Sequence, residues 1–413
     1  MCHFCHINFN NSLFLYCNNG GILIKTKNET IIYSIFFAAI TAFMGFGLVD
    51  PILPVISTQL NASASQVNLL FTSYNGVMAV ASIITGLLSK KLGIKKTLIC
   101  GTILIAIFST SCGLMTNVSG IIILRCAWGL GNALFIATAL TAIINYSKNN
   151  AKRSIILYEA AMGVGFSVGP LVGGLLGQYS WKFPFFAVGC MMVIAFVLIT
   201  VFIPSNHEKD KHFGDGDRKN ISILDPFKAI LNYKHIRTCG IIALLYNFGF
   251  FTLFAYSPYI MGLDAVGIGL VFLCWGILVA LMSTVVAPRI QYSYGVIKPM
   301  YFVLGIFTFL LYLMAIFAEN STMIIVAVIL SGAVIGLNNT LMTTVVMEGS
   351  SIDRPTTSAS YNFLRFIGSA IAPYLAGLLG ENISDSAPFI FAGSLLLISI
   401  IYMYLNRKNI ISV

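Results

Sequence analysis

Long apolar stretches separated by short polar ones make up most of the chain. A helix that crosses a membrane needs about 20 predominantly apolar residues, and twelve stretches meet that requirement. We call them spans 1 to 12 in chain order: 31–56, 66–88, 97–116, 118–145, 155–177, 183–203, 238–262, 266–287, 299–318, 321–346, 357–380 and 386–405. The pattern predicts an all-α membrane protein with twelve transmembrane helices.

The longest polar interval, residues 204–237, divides the spans six and six. We therefore predict two six-helix bundles, 31–203 and 238–405, joined by a cytoplasmic linker and flanked by tails at 1–30 and 406–413. The first tail has no run long enough to span a membrane and lacks the small-residue cleavage site of a signal peptide. We expect this tail to be cytoplasmic and disordered.

Composition and charge agree with a membrane protein. Charged residues make up 9% of the chain, against about 25% in soluble proteins. With the N-terminus inside the cell, nearly all of the 24 Lys and Arg residues fall on cytoplasmic segments, which predicts a cell-membrane protein with both termini cytoplasmic. The net charge of +10 then faces anionic lipid and does not indicate nucleic-acid binding. Within the linker, Leu224–Tyr233 predicts a short helix lying on the membrane surface.

Span 5 carries a glycine at every fourth position from 165 to 177. One face of this helix therefore has no side chains, and a neighbouring helix can approach it closely in lipid. The stretch Tyr158–Gly177 recurs 203 residues later as Tyr361–Gly380, with Pro373 in the place of Pro170. Such a repeat is typical of transporters built from two like halves. We expect the small-residue stripes of spans 5 and 11 to form the seams between the halves.

Several short motifs carry a family resemblance. Their members are Asp50, Pro51 and Pro54 in span 1, Gly86, Lys91, Gly93 and Lys95 around the loop after span 2, Arg125 and Gly129 in span 4, and Gly165, Gly169, Pro170, Gly173 and Gly174 in span 5. In these motifs the chain resembles the bacterial twelve-helix drug:proton antiporter branch of the major facilitator superfamily. It departs from that family at Lys90, where an acidic residue is usual, and in the degenerate second-half loop at 288–295.

Charged residues inside the spans are the candidates for proton coupling. Asp50 lies in the outer half of span 1 and Arg125 in the outer half of span 4, at depths that allow them to meet directly or through a neighbour. An ionised residue at the bilayer centre costs about 2.5–3.5 kcal/mol, so such residues usually pair or line water. We interpret Asp50 as the proton-binding carboxylate and Arg125 as its modulator, the alternative being a static pair that orders two helices. Glu159, in the inner half of span 5, is a further proton site or an anchor for a cation, the alternative being a wetted residue near the inner mouth.

Polar and aromatic residues inside the spans are candidates for a substrate-binding surface, because pockets for apolar solutes combine aromatic walls with a few polar groups. The resemblance implies that spans 1, 4, 7 and 10 line a central cavity. The candidates are Tyr74, Asn75, Asn132, Tyr246, Asn247, Phe250, Asn338 and Arg365. Arg365 would hold an anionic group of a substrate or balance Glu159. The alternative for each residue is ordinary packing.

The spans contain no catalytic triad, no phosphate-binding loop and no metal cluster, so we predict a protein that is not an enzyme and needs no cofactor or metal. The leading hypothesis is a monomer that exports small amphipathic compounds in exchange for protons. One alternative is a proton symporter or facilitator for a sugar or other small nutrient on the same fold, and another is a membrane receptor or scaffold. The glycine-proline element of span 5 favours efflux by resemblance, and the buried charges argue against a scaffold.

Overall fold

The computed structural model describes the chain over residues 13–18, 21–147, 151–204, 224–352 and 354–410. Within these ranges, twelve helical stretches are long and apolar enough to cross a membrane, which confirms the predicted number. The helices that form spans 1 to 12 are, in order, Lys27–Gly47 with Leu53–Gln59, Ala64–Leu92, Ile94–Leu114, Val118–Tyr146, Ala151–Gly177, Phe183–Phe202, Lys234–Ile260, Ala265–Leu281 with Ala287–Tyr294, Ile297–Ile316, Ser321–Glu348, Arg354–Asn382 and Ala387–Leu405.

The spans form two bundles of six, as predicted. Spans 1 to 6 pack mainly on one another, spans 7 to 12 do the same, and the extensive contacts between the bundles join span 2 to span 11 and span 5 to span 8. We call the membrane side that carries the linker the linker side. The opposite side, which carries the loops at 60–63 and 383–386, is the far side.

Span 1 is interrupted close to the far side. Its first helix ends at Gly47, and a 3₁₀ turn, Asp50–Ile52, leads into the last helix of the span. Pro51 and Pro54 each lie in the first turn of a new helical segment, where no intrahelical bond requires their missing N–H. The interruption places Asp50 on a turn inside the membrane domain. Span 8 is also interrupted, by a π turn at Met282–Val286.

The glycine stripe of span 5 faces span 1, within its own bundle. A Cβ atom added to Gly169 would lie 2.7 Å from the carbonyl oxygen of Met44. In the second bundle, Gly368, the repeat equivalent of Gly165, lies against the backbone of Leu244 in span 7. The prediction that these stripes are the seams between the halves is therefore wrong. A stripe without side chains shows that a helix comes close, and in both bundles that helix is a neighbour in the same bundle.

The bundles meet through another face of span 5, which we call the glycine seam. It joins Gly163, Ser167, Pro170 and Gly174 of span 5 to Ala280, Gly276, Gly269 and Ala265 of span 8, respectively. A Cβ atom added to Gly269 would lie 2.6 Å from the Pro170 carbonyl oxygen, and one added to Gly276 would lie 2.5 Å from Ser167 Cα. The two backbones are therefore almost in contact.

The second seam, which we call the amide seam, joins span 2 to span 11 by hydrogen bonds. Asn68 Nδ2 donates to the Pro373 carbonyl oxygen at 3.1 Å, and Asn75 Nδ2 donates to the Ser369 carbonyl oxygen at 3.3 Å. Pro373 is the repeat equivalent of Pro170, so the two seams correspond by the repeat. Both run from the middle of their helices to the far-side ends, and the far side is closed along them.

The loops that follow spans 2 and 8 on the linker side share one backbone feature. Gly93 has φ 82° and Gly295 has φ 71°, a left-handed conformation that strongly favours glycine. The loop after span 8 lacks the other residues of the motif found after span 2, and it keeps only the glycine turn. Lys95 Nζ donates to the carbonyl oxygens of Thr200 and Ile203, at 2.9 and 2.5 Å, and so satisfies the end of span 6.

The linker contains a helix, Asp225–Asn232, where a helix was predicted. It packs on the side of span 11: Ser360 Oγ donates to the Pro226 carbonyl oxygen at 3.0 Å, and the rings of Phe227 and Phe363 are 5.1 Å apart. The neighbouring Leu231 is 70% exposed. A helix with one packed face and exposed leucine beside a membrane domain fits the predicted place on the membrane surface.

The tail before span 1 differs from the disordered segment that we predicted. Leu13–Asn18 and Gly21–Thr26 form an antiparallel pair of strands in which Leu13 pairs with Thr26. Aromatic and β-branched residues in these strands account for the pairing. Cys2, His3, Cys5 and His6, which have the composition of a metal site, lie outside the described residues.

Candidate functional site

Six aromatic rings form a circuit between the two bundles, which we call the aromatic circuit. In order, the rings are Phe71, Phe254, Trp275, Phe166, Phe46 and Tyr74, and consecutive centroids are 5.0–6.3 Å apart. Arg125 closes the circuit, because its guanidinium carbon lies 4.4 Å from the centroid of Tyr74 and 6.0 Å from that of Phe71. Spans 1, 2 and 5 of the first bundle and spans 7 and 8 of the second all contribute.

Arg125 is fully buried in the first bundle. Its Nη1 donates to the Gly45 carbonyl oxygen at 3.4 Å, its Nε donates to the Leu70 carbonyl oxygen at 3.3 Å, and Nη2 has no partner among the described residues. The guanidinium also lies 4.6 Å from the centroid of Trp128. A buried cation over an aromatic face gains up to about 2 kcal/mol, so two rings and two carbonyl groups offset an insertion cost of about 2.5–3.5 kcal/mol. Arg125 is thus stabilised without a carboxylate.

Asp50 is also fully buried, and it lies on the 3₁₀ turn of span 1. Neither carboxylate oxygen has a hydrogen-bond partner among the described residues, and Asp50 makes no ion pair with them. Arg125 is near enough to act on Asp50 through its charge, but it binds the backbone of span 1 at Gly45 instead. The direct ion pair between Asp50 and Arg125, which their depths in the membrane allowed, is therefore not formed in this state.

Tyr74 and Asn132 form one hydrogen-bonded unit beside Arg125. Asn132 Nδ2 donates to the Tyr74 hydroxyl oxygen and, at 3.4 Å, to the Ala42 carbonyl oxygen. The ring of Tyr74 makes edge-to-face contacts with Phe46 and Trp128. The structure brings together Arg125, Tyr74 and Asn132, which were candidates from the sequence. It adds Phe46 and Trp128 to this group.

A second polar cluster lies in the middle of the second bundle. Arg365 Nε donates to Asn247 Oδ1 at 3.4 Å, and the Tyr246 hydroxyl donates to the Ile335 carbonyl oxygen at 3.4 Å. Asn338 is fully buried beside the Tyr246 hydroxyl, and neither of its amide atoms makes a hydrogen bond of ordinary geometry with the described residues. Arg365 is only partly buried. Four of the predicted substrate-binding residues therefore meet, and one of them is an unsatisfied amide.

Two further predicted substrate-binding residues make packing contacts instead. Asn75 forms part of the amide seam through its bond to Ser369. Phe250 stacks on Trp275 of span 8 with centroids 5.7 Å apart and ring planes at 15°. Asn75 therefore contributes to contact between the bundles, whereas Phe250 packs inside the second bundle beside the aromatic circuit.

Some predicted residues fall outside what the structure describes. The side chain of Glu159 and the surroundings of Gly86 are outside the described set. The proton-coupling hypothesis for Glu159 therefore stays a prediction.

Reasoning from the sequence missed Trp128 and Trp275. The chain has only three Trp residues, and Trp128 follows Arg125 by three positions, which places both on one helix face. That spacing was a usable signal. The partners of Trp275 come from spans 5 and 7, and no local pattern predicts them.

The arrangement offers three kinds of chemistry within the membrane domain. An unpartnered carboxyl group in the far-side half can gain and lose a proton. The aromatic circuit brings together flat apolar rings of both bundles, which are buried against one another in this state. The second polar cluster offers amide and guanidinium donors. Within the described residues, no group of three or more His, Cys, Asp or Glu residues lies close enough together to hold a metal ion.

Comparison with known proteins identifies the family. A model of the Major Facilitator Superfamily matches residues 35–373 and 262–410. The chain belongs to the major facilitator superfamily. Its membrane helices and that family assign it to multi-pass membrane transporters.

Two bacterial members of the superfamily illustrate the likeness in sequence. The multidrug efflux protein YfmO of Bacillus subtilis is 41% identical over 390 residues, which cover 94% of this chain and 96% of YfmO. The quinolone resistance protein NorA of Staphylococcus aureus is 30% identical over 222 residues, which cover 53% of this chain and 55% of NorA.

Solved structures of superfamily members show the same fold. A bacterial homologue of the human lysosomal transporter Spinster, in an inward-facing and unoccupied conformation, matches with a TM-score of 0.71 over 94% of this chain and 98% of its own, at 14% identity. The human organic anion transporter MFSD10 matches with a TM-score of 0.69 over 92% and 100%, also at 14% identity. At this identity the likeness concerns the fold alone.

Proposed function

We propose that this chain exports small amphipathic compounds across the cell membrane in exchange for protons. Access to a central site would alternate between the two sides as the bundles rock about their seams. The relatives YfmO and NorA are named for multidrug efflux and quinolone resistance, which supports drugs as the substrate class. The distribution of basic residues supports cytoplasmic termini, so that the linker side faces the cytoplasm.

The role of the proton in this proposal is supported by one observation: the carboxyl group of Asp50 is buried and has no hydrogen-bond partner among the described residues. An ionised carboxylate left without partners in the membrane costs about 2.5–3.5 kcal/mol, and binding a proton removes that cost. When the far side opens, water and protons from outside reach the 3₁₀ turn and the carboxyl group binds a proton. For exchange, that proton must leave toward the linker side after the far side has closed. Arg125 lies close by and would stabilise the carboxylate at that moment.

The substrate would lie against the aromatic circuit. Because both bundles contribute rings, a flat amphipathic molecule there would touch both halves. Asn338 and Arg365 would bind its polar group, since the Asn338 amide makes no hydrogen bond of ordinary geometry with the described residues. Protons and a small molecule are thus the partners that we propose.

The test is Asp50→Asn, which removes the titratable group and preserves its size. We expect the variant to reach the membrane and to lose uphill efflux of a fluorescent lipophilic cation such as ethidium, at least tenfold, because no proton is exchanged. In energised inverted vesicles, the substrate-induced proton movement reported by a pH-sensitive dye should disappear as well.

The matched control is Glu348→Gln, an exposed acid on the linker side, which should leave both signals unchanged. Full uphill efflux by Asp50→Asn would remove Asp50 from the coupling mechanism. A wild-type protein that moves no amphipathic cation, anion or neutral drug would refute the efflux proposal itself.

A further inference from the structure

Glu381, an acid at the far-side end of span 11, binds the first turn of span 2 in the other bundle. Its Oε1 accepts from the backbone N–H of Ser65 at 2.6 Å, and its Oε2 accepts from the Ser65 hydroxyl at 2.9 Å. Ser65 is the second residue of the helix Ala64–Leu92, so its N–H has no acceptor within that helix. The carboxylate of one bundle thus caps a helix of the other.

The backbone geometry shows how tightly this contact is held. A Cβ atom added to Gly377, one turn before Glu381, would lie 2.6 Å from Ser65 Cα. Glycine at 377 therefore lets span 11 approach until the carboxylate reaches the end of span 2. The N-terminus of a helix carries a partial positive charge, which favours an anion there.

The other seam lacks this contact. The position equivalent to Glu381 in the repeat is Gln178, a neutral residue at the end of span 5. The matching helix start, in span 8, has only a cap from its own chain segment among the described residues, in which Asp264 Oδ1 accepts from the Gly267 N–H at 2.8 Å. Span 2 has the corresponding cap, because Ser63 Oγ accepts from the Gln66 N–H at 3.3 Å, and Glu381 adds to it. The repeat therefore produces two similar helix ends, and only the end in span 2 is capped from the opposite bundle.

We propose that Glu381 is a positioning residue of the transport cycle, which holds the far side closed by capping span 2 from the other bundle. Opening of the far side separates spans 2 and 11 and breaks both hydrogen bonds, so the carboxylate sets the ratio of the open to the closed state. This inference rests on the alternating access of the proposed function. It assigns to Glu381 a role in moving the bundles and none in binding the drug or the proton.

The experiment measures distances between spin labels by double electron–electron resonance. Labels are placed at exposed Thr58 in the first bundle and exposed Ser384 in the second, in full-length purified protein whose native cysteines have been replaced. We expect a dominant short distance in the otherwise unmodified protein. Glu381→Gln should raise the ratio of long to short distances about tenfold, since a charge-assisted contact at a helix end is lost.

Ser65→Ala should produce a smaller shift in the same direction, because it removes the hydroxyl and keeps the N–H. Glu319→Gln, an exposed acid in another loop of the same side, should produce no shift. Unchanged distances in both Glu381→Gln and Ser65→Ala would overturn the proposal. Size-exclusion profiles and melting curves equal to those of the parent show that the variants are folded, so a shift in the distances reports on opening.

The same samples separate this inference from the proposed function. If the unmodified protein shows one distance at every pH and with every substrate tested, alternating access fails. If its distances respond to substrate and Glu381→Gln matches Glu319→Gln, only the role of Glu381 fails.

Discussion

The two seams between the bundles correspond by the internal repeat, yet different forces hold them, except at Gly377, where span 11 also comes close to the backbone of span 2. In the glycine seam, Gly269 and Gly276 of span 8 bring the backbone of span 8 almost onto that of span 5. In the amide seam, Asn68 and Asn75 of span 2 donate to carbonyl oxygens of span 11. Two backbones in contact must move apart when a side chain is added between them. An intramembrane hydrogen bond, in contrast, contributes only about 0.6 kcal/mol on average. We therefore expect the glycine seam to tolerate substitution less well.

The largest expected effect is that of Gly276→Leu. The new side chain would have to displace the backbone of span 5, since even a Cβ atom would lie 2.5 Å from Ser167 Cα. Overpacking of this kind costs about 1–3 kcal/mol or more, so transport should fall by more than tenfold at equal expression. Efflux rates in intact cells, normalised to membrane protein, provide the measurement.

Gly305→Leu is the matched control, because a Cβ atom added to Gly305 meets nothing within 4 Å. It adds the same side chain to span 9 outside both seams and should leave the rate unchanged. Equal rates for both leucine variants would mean that the glycine seam does not limit movement.

A moderate effect is expected from the double variant Asn68→Leu with Asn75→Leu. Leucine approximates the size of asparagine, and two hydrogen bonds of about 0.6 kcal/mol each are lost. The closed far side should then become less populated by about five- to tenfold, measured with the spin-label pair described above. Gly276→Leu is measured with the same spin-label pair for comparison. Equal shifts for the two variants would show that the two seams are equally sensitive to substitution.

The smallest effect is expected from Gly76→Ala in the amide seam. A Cβ atom there would lie 3.9 Å from the Ala370 Cβ, an ordinary van der Waals contact. Melting temperature and efflux rate should stay within experimental error of the wild type. A clear loss would indicate that spans 2 and 11 come closer at another stage of the cycle.

The fold could largely be predicted from the sequence, because apolar length and the repeat are local properties. The identity of the helix that packs on a stripe of small residues depends on tertiary contacts, which local sequence does not show. Span 5 has small residues on two faces, one through Gly165 and Gly169 and the other through Gly163 and Ser167, and the regular four-residue spacing drew attention to the first face. The structure shows that this face packs on span 1 and that the second face forms the seam.

The candidate site was predicted only in part, because some of its residues are recognisable from local sequence and others depend on tertiary contacts. Asp50, Arg125 and Asn132 stand out because polar residues are rare inside spans. Glu381 did not stand out, since an acid at the end of a span resembles an ordinary loop residue. Its partner Ser65 lies 316 positions away, and only the packing of spans 2 and 11 brings them together.

The π turn of span 8 records how the two halves diverged. Gly269 occupies the seam position that Asn68 occupies in the first half, an offset of 201, whereas Gly295 and Gly93 at the following loops are offset by 202. One residue has therefore been gained between these points, and the turn Met282–Val286 lies there. A π turn accommodates an additional residue without ending the helix. The additional residue rotates the linker-side part of span 8 relative to its seam, and a one-residue deletion in this turn would restore the common register of the two halves.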